Sequence, residues 1–491
     1  MNNKVNDVRP LQVGEVSGFD HETDVLVVGY GIAGGSAAYE AAKAGAEVIV
    51  LERSSGPGGS SAQSGGELYL GAGTEVQQAH GYGDDNADAM FEYLRLALGP
   101  HADEEKLRLY CDGSKEHFEW FRDEIGLEFG EGFYDRPTWM PFTKDGLMWL
   151  GENAWPYNEA ATPAPRGHRP STEGFAGWLL MEKMAKAVEN AGGVTHTDTR
   201  AVRLILDGDR VVGLQARKFG ADVTYRARKG VVLTTGGFVD NDEMLADHAP
   251  ALIGHGKVSD GMSDGSGIRI AQAAGAATRR MGVVEVAYTA IPAMVCRGML
   301  VNERGERFYN EDVYPGLWSH AALHEQGKVW VIMDEKGFED VPPMDAMGLQ
   351  PAFAAETIEE LAEEIGVSVD GLTRTLDAYN AGARAGQDLF HKDPKWLREL
   401  EGPFAAFDPA KGLSPLQEVA PDFTGFNGFT LGGLHTDVDG QVMNISGTPI
   451  PGLFAAGRAS SGMHGEGYIS GTSLGDGSFF GRRAGRKVAA G

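Results

Sequence analysis

The chain has 491 residues, 42% hydrophobic and 23% charged, which suits a globular protein with more than one core. Its 70 acidic and 43 basic residues leave a formal net charge of −27, a surface that repels nucleic acid and anionic lipid. With two cysteines, Cys111 and Cys296, a disulfide framework, an iron–sulfur ligand set and a C-x-x-C-H haem site are excluded.

The opening "MNNKVNDVRPLQVGEVSGFDHETD" lacks the apolar core of a signal peptide, and no apolar run reaches the length of a membrane span. A cytoplasmic protein is expected, and any electrons it handles leave to an external acceptor. The 70 glycines, about twice the usual share and without a repeating period, point to tight turns and close backbone approaches.

In "TDVLVVGYGIAGGSAAYEAAKAGAEVIVLERSSG", an apolar run at Val25–Val28 predicts a buried parallel strand. Gly29, Gly31 and Gly34 follow, then an alanine-rich helix opening with Ile32 and Ala33, then a second strand ending at Glu52 and Arg53. A lone G-x-G-x-x-G is a weak signal. Set between a strand and a helix, with a terminal acid on the next strand, it defines a dinucleotide-binding βαβ unit. The glycines let a helix N-terminus approach a pyrophosphate, and Glu52 stands where a carboxylate bonds a ribose hydroxyl.

"GGSSAQSGGELYLGAG" reads either as a flexible linker or as a loop that wraps phosphate and ring edge. Its place directly after a cofactor strand favours the second, with Gly59, Ser60, Ser61, Ser64, Gly65 and Gly66 as the contacts. Helices are expected over 85–130. An aromatic loop then carries Trp139, Trp149 and Trp155, whose commoner role is packing and whose alternative role is to line an apolar pocket.

A hairpin-rich β element follows from Ala201, then a buried strand at Gly230–Thr234 that ends in Gly236-Gly237. Near residue 285 the character changes, to a hairpin at Glu303–Gly305 and a helical pair opened by a Thr357/Glu360 capping box. Residues 408–491 return to strand and turn. We expect an α/β fold with two domains: a discontinuous Rossmann-like domain, 1–284 and 408–491, and an inserted α+β domain, 285–407. The chain closes on "MHGEGYISGTSLGDGSFFGRRAGRKVAA", a glycine-rich loop expected to open into a helix near Gly475, with Arg482 and Arg483 on a solvated face.

In this order "GYGIAGG", "ERSSGPGG", "LTTGGF", "NERGERFYNED", "TLGGL" and "IPGLFAAGR" resemble the flavoproteins of the fumarate reductase and succinate dehydrogenase family, from about Asp24 onward. The resemblance implies bound FAD and an inserted domain that caps the substrate site. It also adds Val202, Thr235, Gly236, Gly457, Arg458, Ser473 and Leu474 to the cofactor contacts. Covalently flavinylated members carry a histidine in the loop after the second strand; this chain has none there, so non-covalent FAD is expected.

Three cationic positions that dicarboxylate enzymes of the family use are here Gly428, Pro315 and Tyr468. A dianion would lose charge-assisted hydrogen bonds worth about 1.5–3 kcal/mol each. The neutral set Tyr314, Tyr468 and Ser470 resembles instead the 3-ketosteroid dehydrogenase branch. "NEDVYPG" and "GYISGTSLGDGSFFGRRAG" resemble the Δ4-(5α)-dehydrogenases within it.

That resemblance implies a role for each residue. Tyr468 donates to the C3 carbonyl with a backbone N–H near Gly433, Ser470 takes the C4 proton, Tyr314 relays it to solvent, and the C5 hydrogen leaves as hydride to flavin N5. Alternatives on the same scaffold are a 3-ketosteroid 1-dehydrogenase or another enone reductase, and outside catalysis a flavin-binding redox partner. Read without the resemblance, a tyrosine in a glycine-rich loop more often packs than reacts. His464 and Glu466 are further acid–base candidates.

Overall fold

The computed structural model describes residues 8–288, 292–342, 349–411 and 426–491. The run Val25–Val28 forms the buried half of a strand, His21–Val28, which runs parallel to Val48–Leu51 on one side and to Ala221–Leu233 on the other. Burying each such Val or Leu contributes about 1.5–3 kcal/mol. Val48–Leu51 is in turn parallel to Val194–His196. Ala221–Leu233 folds back antiparallel on Arg210–Lys218, which pairs with Thr199–Asp207. A strand from the far end of the chain, Pro449–Ala455, adds in parallel beside Val231–Leu233, completing a nine-stranded sheet.

The same joining of chain ends recurs in the helices. Ile32–Lys43 packs against the C-terminal helix Thr472–Ala490, where Gly481 and Gly485 stand over Ala33 and Ala37. A Cβ on Gly481 would lie 2.5 Å from the Ala33 carbonyl oxygen, so the backbones approach as closely as small residues allow.

This contact corrects the expected solvated face. Arg482 is 2% exposed and donates to Glu40 at 3.0 Å and to Glu116 at 2.7 Å. The helix is drawn in so closely that its guanidinium finds a carboxylate of the neighbouring helix instead of water. Arg483 remains half-buried, on Asp439.

Residues 299–407 contain a four-stranded antiparallel sheet of Met299–Val301, Trp330–Asp334, Phe404–Phe407 and Phe353–Ala355. The helices Ile358–Ile365 and Val369–Ala385 share a core with it, and the first carries the Thr357/Glu360 capping box. The boundary placed at residue 285 falls inside the strand Val284–Tyr288, which pairs with Phe426–Thr430, itself beside Gly256–Lys257. That three-stranded ladder matters for function because two of its strands form part of a cavity wall.

Candidate active site

A cavity of about 320 Å³ runs from the first glycine turn to the start of the C-terminal helix. At one end stand Gly29, Gly31, Ile32 and Ala33, at the mouth of the helix Ile32–Lys43. Gly29, at φ 98°, needs its missing side chain: a Cβ would lie 2.6 Å from the Thr234 carbonyl oxygen. Glu52, 6% exposed, is anchored there by the N–H groups of Tyr30 and Ser54, each at 2.8 Å.

Arg53, Gly59, Ser60, Ser61, Ser64 and Gly65 continue the wall. Their side chains are already engaged: Arg53 pairs with Asp264 at 3.0 Å, Ser60 bonds Asp260, and Ser61 accepts from the Ile32 N–H at 3.1 Å. Thr235 and Gly236 close this end, and the Thr235 hydroxyl packs toward Gly267.

These features fit a bound dinucleotide. The N-terminus of the helix Ile32–Lys43 lines the cavity, and a carboxylate is held in place at a strand end.

Further along lie Gly457, Arg458, Ser473 and Leu474. Arg458 rests over the Phe429 ring at 4.8 Å, and among the described residues no carboxylate or hydrogen-bond acceptor meets its guanidinium. Burial lowers its pKa. Such a cation stabilises negative charge on whatever fills the cavity beside it.

The other end is built by the loop before the C-terminal helix. Gly471, at φ 84°, turns the chain into that helix, which starts at Thr472 rather than near Gly475. A Cβ on Gly471 would lie 2.5 Å from the Tyr69 nitrogen, so the turn is pressed against the strand Leu68–Tyr69. Tyr468 and Ser470 are thereby held on the cavity wall opposite Tyr314, which precedes Pro315 at the head of the helix Pro315–Ala321. The two tyrosine rings are 6.5 Å apart.

Phe429 meets Tyr468 edge-on at 5.4 Å, and His464 stacks on it at 5.6 Å. Burial, then the nearby Glu285, pushes both phenols well above their usual pKa, and an interaction with Ser470 opposes the shift at Tyr314. Both tyrosines are therefore neutral donors at physiological pH.

Gly34, Gly66, Val202 and Gly433 do not reach the cavity wall. Gly34 packs on the Gly29 carbonyl and Gly66 on Ala176, Val202 adjoins the lining residue Ala201, and Gly433 packs on the backbone of Ala459 and Ser460. The Thr472 hydroxyl donates to the Ile469 carbonyl at 2.6 Å, leaving its oxygen to accept from Nε2–H of His464 at 2.9 Å. Burial takes the His464 pKa down to about 3, so it is a neutral support for Tyr468. Glu466 faces outward beside His101. Of the three tryptophans, Trp139 lines the cavity and the other two do not.

Sequence reasoning missed Glu67, Glu285, Asn427 and Phe429, all on the wall. Glu285 alone left a signal, a charged residue inside the apolar run "GVVEVAY".

The fold and the site together define an FAD-dependent oxidoreductase. The chain belongs to the FAD binding domain family, whose model matches residues 24–474. It is similar to a crystal structure of the 3-ketosteroid-Δ4-(5α)-dehydrogenase from Rhodococcus jostii RHA1 in complex with 4-androstene-3,17-dione. The identity is 45% and the TM-score 0.92, over 98% of this chain and 99% of that one. It is also 27% identical to the 3-oxo-5-alpha-steroid 4-dehydrogenase of Comamonas testosteroni, over 93% of this chain and 96% of that protein. The probable fumarate reductase Ifc3 of Shewanella frigidimarina is 27% identical, over 98% of this chain and 77% of that protein. Among the described residues no helix is long and apolar enough to cross a membrane.

Proposed function

We propose that the protein introduces a C4–C5 double bond into 3-keto-5α-steroids and passes the electrons to an external acceptor. The observation that carries this reading is the meeting of three uncharged hydroxyls, Tyr314, Tyr468 and Ser470, on one cavity that also takes in Gly29, Gly31, Glu52 and Arg458. Two of the lining cations, Arg53 and Arg200, are paired to Asp264, so among the described residues Arg458 is the one lining cation left to meet an anionic substrate, too few to clamp a dicarboxylate. Nor does Gly428 have room for a histidine, because a Cβ there would lie 2.6 Å from both the Glu285 carbonyl oxygen and a Leu252 methyl. Trp139, Phe175, Ala287, Tyr288 and Phe429 give the cavity the apolar flanks that a fused-ring body requires.

In this reading Tyr468 donates to the C3 carbonyl oxygen. Charge that develops there as the C4 proton leaves meets a preorganised neutral donor. Ser470 removes that proton and Tyr314 carries it onward, since a serine hydroxyl is too weak a base to keep it. Bound FAD supplies the two-electron oxidant for the C5 hydrogen. The positive end of the helix Thr472–Ala490 points to the same place and favours negative charge there.

Residues 285–407 act as the cap over a discontinuous FAD-binding domain of 1–284 and 408–491, a division supported by the separate antiparallel sheet and core of the insert. A cytoplasmic setting is supported by Cys111 and Cys296, both free and buried.

Product analysis after anaerobic turnover of a saturated 5α-3-ketosteroid tests the assignment. The reading expects an enone with its double bond at C4–C5. A product unsaturated at C1–C2 would convert it into a 1-dehydrogenase, and no product from any 3-ketosteroid would refute it.

A further inference from the structure

The relay described above ends on a buried residue: Tyr314 is 4% exposed. Its phenol also holds its own proton tightly, because burial raises its pKa. A base beside Tyr314 would give the proton that Ser470 takes from the substrate a short onward path.

One unassigned carboxyl lies against this tyrosine. The ladder between Val284–Tyr288 and Phe426–Thr430 sets Glu285 opposite Phe429 and Ala287 opposite Asn427, and all four face the cavity. Glu285 is 5% exposed. Among the described residues its one hydrogen-bond partner is the adjoining backbone of Val286, and no cation pairs with it. A methyl group on Gly316 would lie 2.8 Å from Oε1 of Glu285 and 2.6 Å from Cε1 of Tyr314, so the carboxyl and the ring edge border the same small space over Gly316, and the carboxyl is near enough to raise the phenol's pKa. Glycine at 316 keeps that approach open.

We propose that Glu285 is the proton acceptor behind Tyr314, reached directly or through one water. The step balances as follows. The C4–H bond breaks and its electron pair moves toward the C3 oxygen. Ser470 Oγ gains the proton and gives its own to the Tyr314 oxygen, which gives its own to a carboxylate oxygen of Glu285. The carboxylate becomes a carboxylic acid, the pair returns from the C3 oxygen to close C4=C5 and restore the ketone, and the C5 hydrogen leaves with its own pair, which oxidised FAD, when bound, would accept.

Glu285 acts through Tyr314 and is a positioning residue for proton transfer, not a group that touches substrate. The charged and titratable groups around it are the phenols of Tyr314 and Tyr468, Glu67 paired with Arg169, and Arg458 beyond Phe429. Burial raises the Glu285 pKa, so its accepting form grows as pH rises.

The proposal rests on the ketosteroid reading, and stopped-flow mixing of FAD-loaded protein with a saturated 5α-3-ketosteroid under anaerobic conditions separates the two. Wild-type bleaching should accelerate as pH rises. Glu285→Gln should bind FAD and steroid normally, by spectral titration, yet bleach about 10²-fold slower with no dependence on pH. Glu285→Asp should recover part of the rate and the pH limb. An E285Q protein with the wild-type rate and pH limb would overturn the proposal alone. Wild-type flavin that no such steroid bleaches would overturn the ketosteroid reading and the proposal with it. Should E285Q fail to fold, infrared difference spectra of wild type decide the matter. Bleaching should add a protonated-carboxyl band that shifts with ¹³C-glutamate labelling, and its absence would overturn the proposal.

Discussion

Replacing Tyr468 with phenylalanine removes one oxygen from a ring that the structure otherwise holds in place. The ring is 8% exposed, met edge-on by Phe429 at 5.4 Å and stacked by His464 at 5.6 Å, and phenylalanine keeps both contacts. The lost hydroxyl is neutral, so in the ground state its hydrogen bond to a ketone is worth about 0.5–1.5 kcal/mol, and steroid binding should weaken by no more than about tenfold. In the transition state the same donor faces an oxyanion in a site shielded from water. Losing it there costs about 2.7–4 kcal/mol, or about 10²–10³ in rate.

The signature is a split: a modest rise in Kd from spectral titration against a large fall in the flavin-bleaching rate under saturating steroid. A bleaching rate within about threefold of wild type would refute the argument that this phenol stabilises developing charge.

Ser470→Ala should retain FAD and bind steroid but fail to turn over, measured by titration and by product yield; full activity would remove serine from the relay. Gly481→Leu should lower stability by about 1–3 kcal/mol or more in chemical denaturation, because the new side chain meets the Ala33 carbonyl with backbone on both sides of the contact. His464 is buried neutral, with its folded pKa depressed from 6.5 to about 3. The unfolded chain therefore takes up a proton that the folded chain refuses, and stability falls by up to about 1.4 kcal/mol per pH unit as pH drops through that window. His464→Gln should flatten this slope in urea unfolding followed across it. Arg458→Met should lower the flavin midpoint potential in a dye-equilibration titration, since the reduced anionic form loses its unpaired cation.

Much of the cofactor end was legible because its chemistry is local. Gly29, Gly31 and Glu52 lie within one βαβ unit, where strand, turn and helix follow in sequence and each glycine has a backbone reason. The steroid end needed residues from four distant segments. Tyr314, Tyr468 and Ser470 could be named through resemblance, whereas Glu285 and Phe429 become neighbours only through the register of an antiparallel ladder that no local pattern announces.

Gly433, named by analogy for a backbone N–H at the substrate, lies in the strand Gly433–Leu434, where a Cβ would meet Ala459 and Ser460. Arg482 looked like a surface residue because its helix carries several charges. The glycine stripe that draws the helix inward was visible in the sequence, but its partner, Ala33 and Ala37, lies at the other end of the chain.

The measurement that bears most directly on the choice between a ketone and a dicarboxylate is a paired anaerobic experiment on one preparation of FAD-loaded protein. Oxidised protein is mixed with a saturated 5α-3-ketosteroid, and dithionite-reduced protein with fumarate. The account predicts that the steroid bleaches the flavin as C4 enone absorbance appears, and that fumarate leaves the reduced flavin unchanged. Rapid reoxidation by fumarate, with an inert steroid, would contradict it.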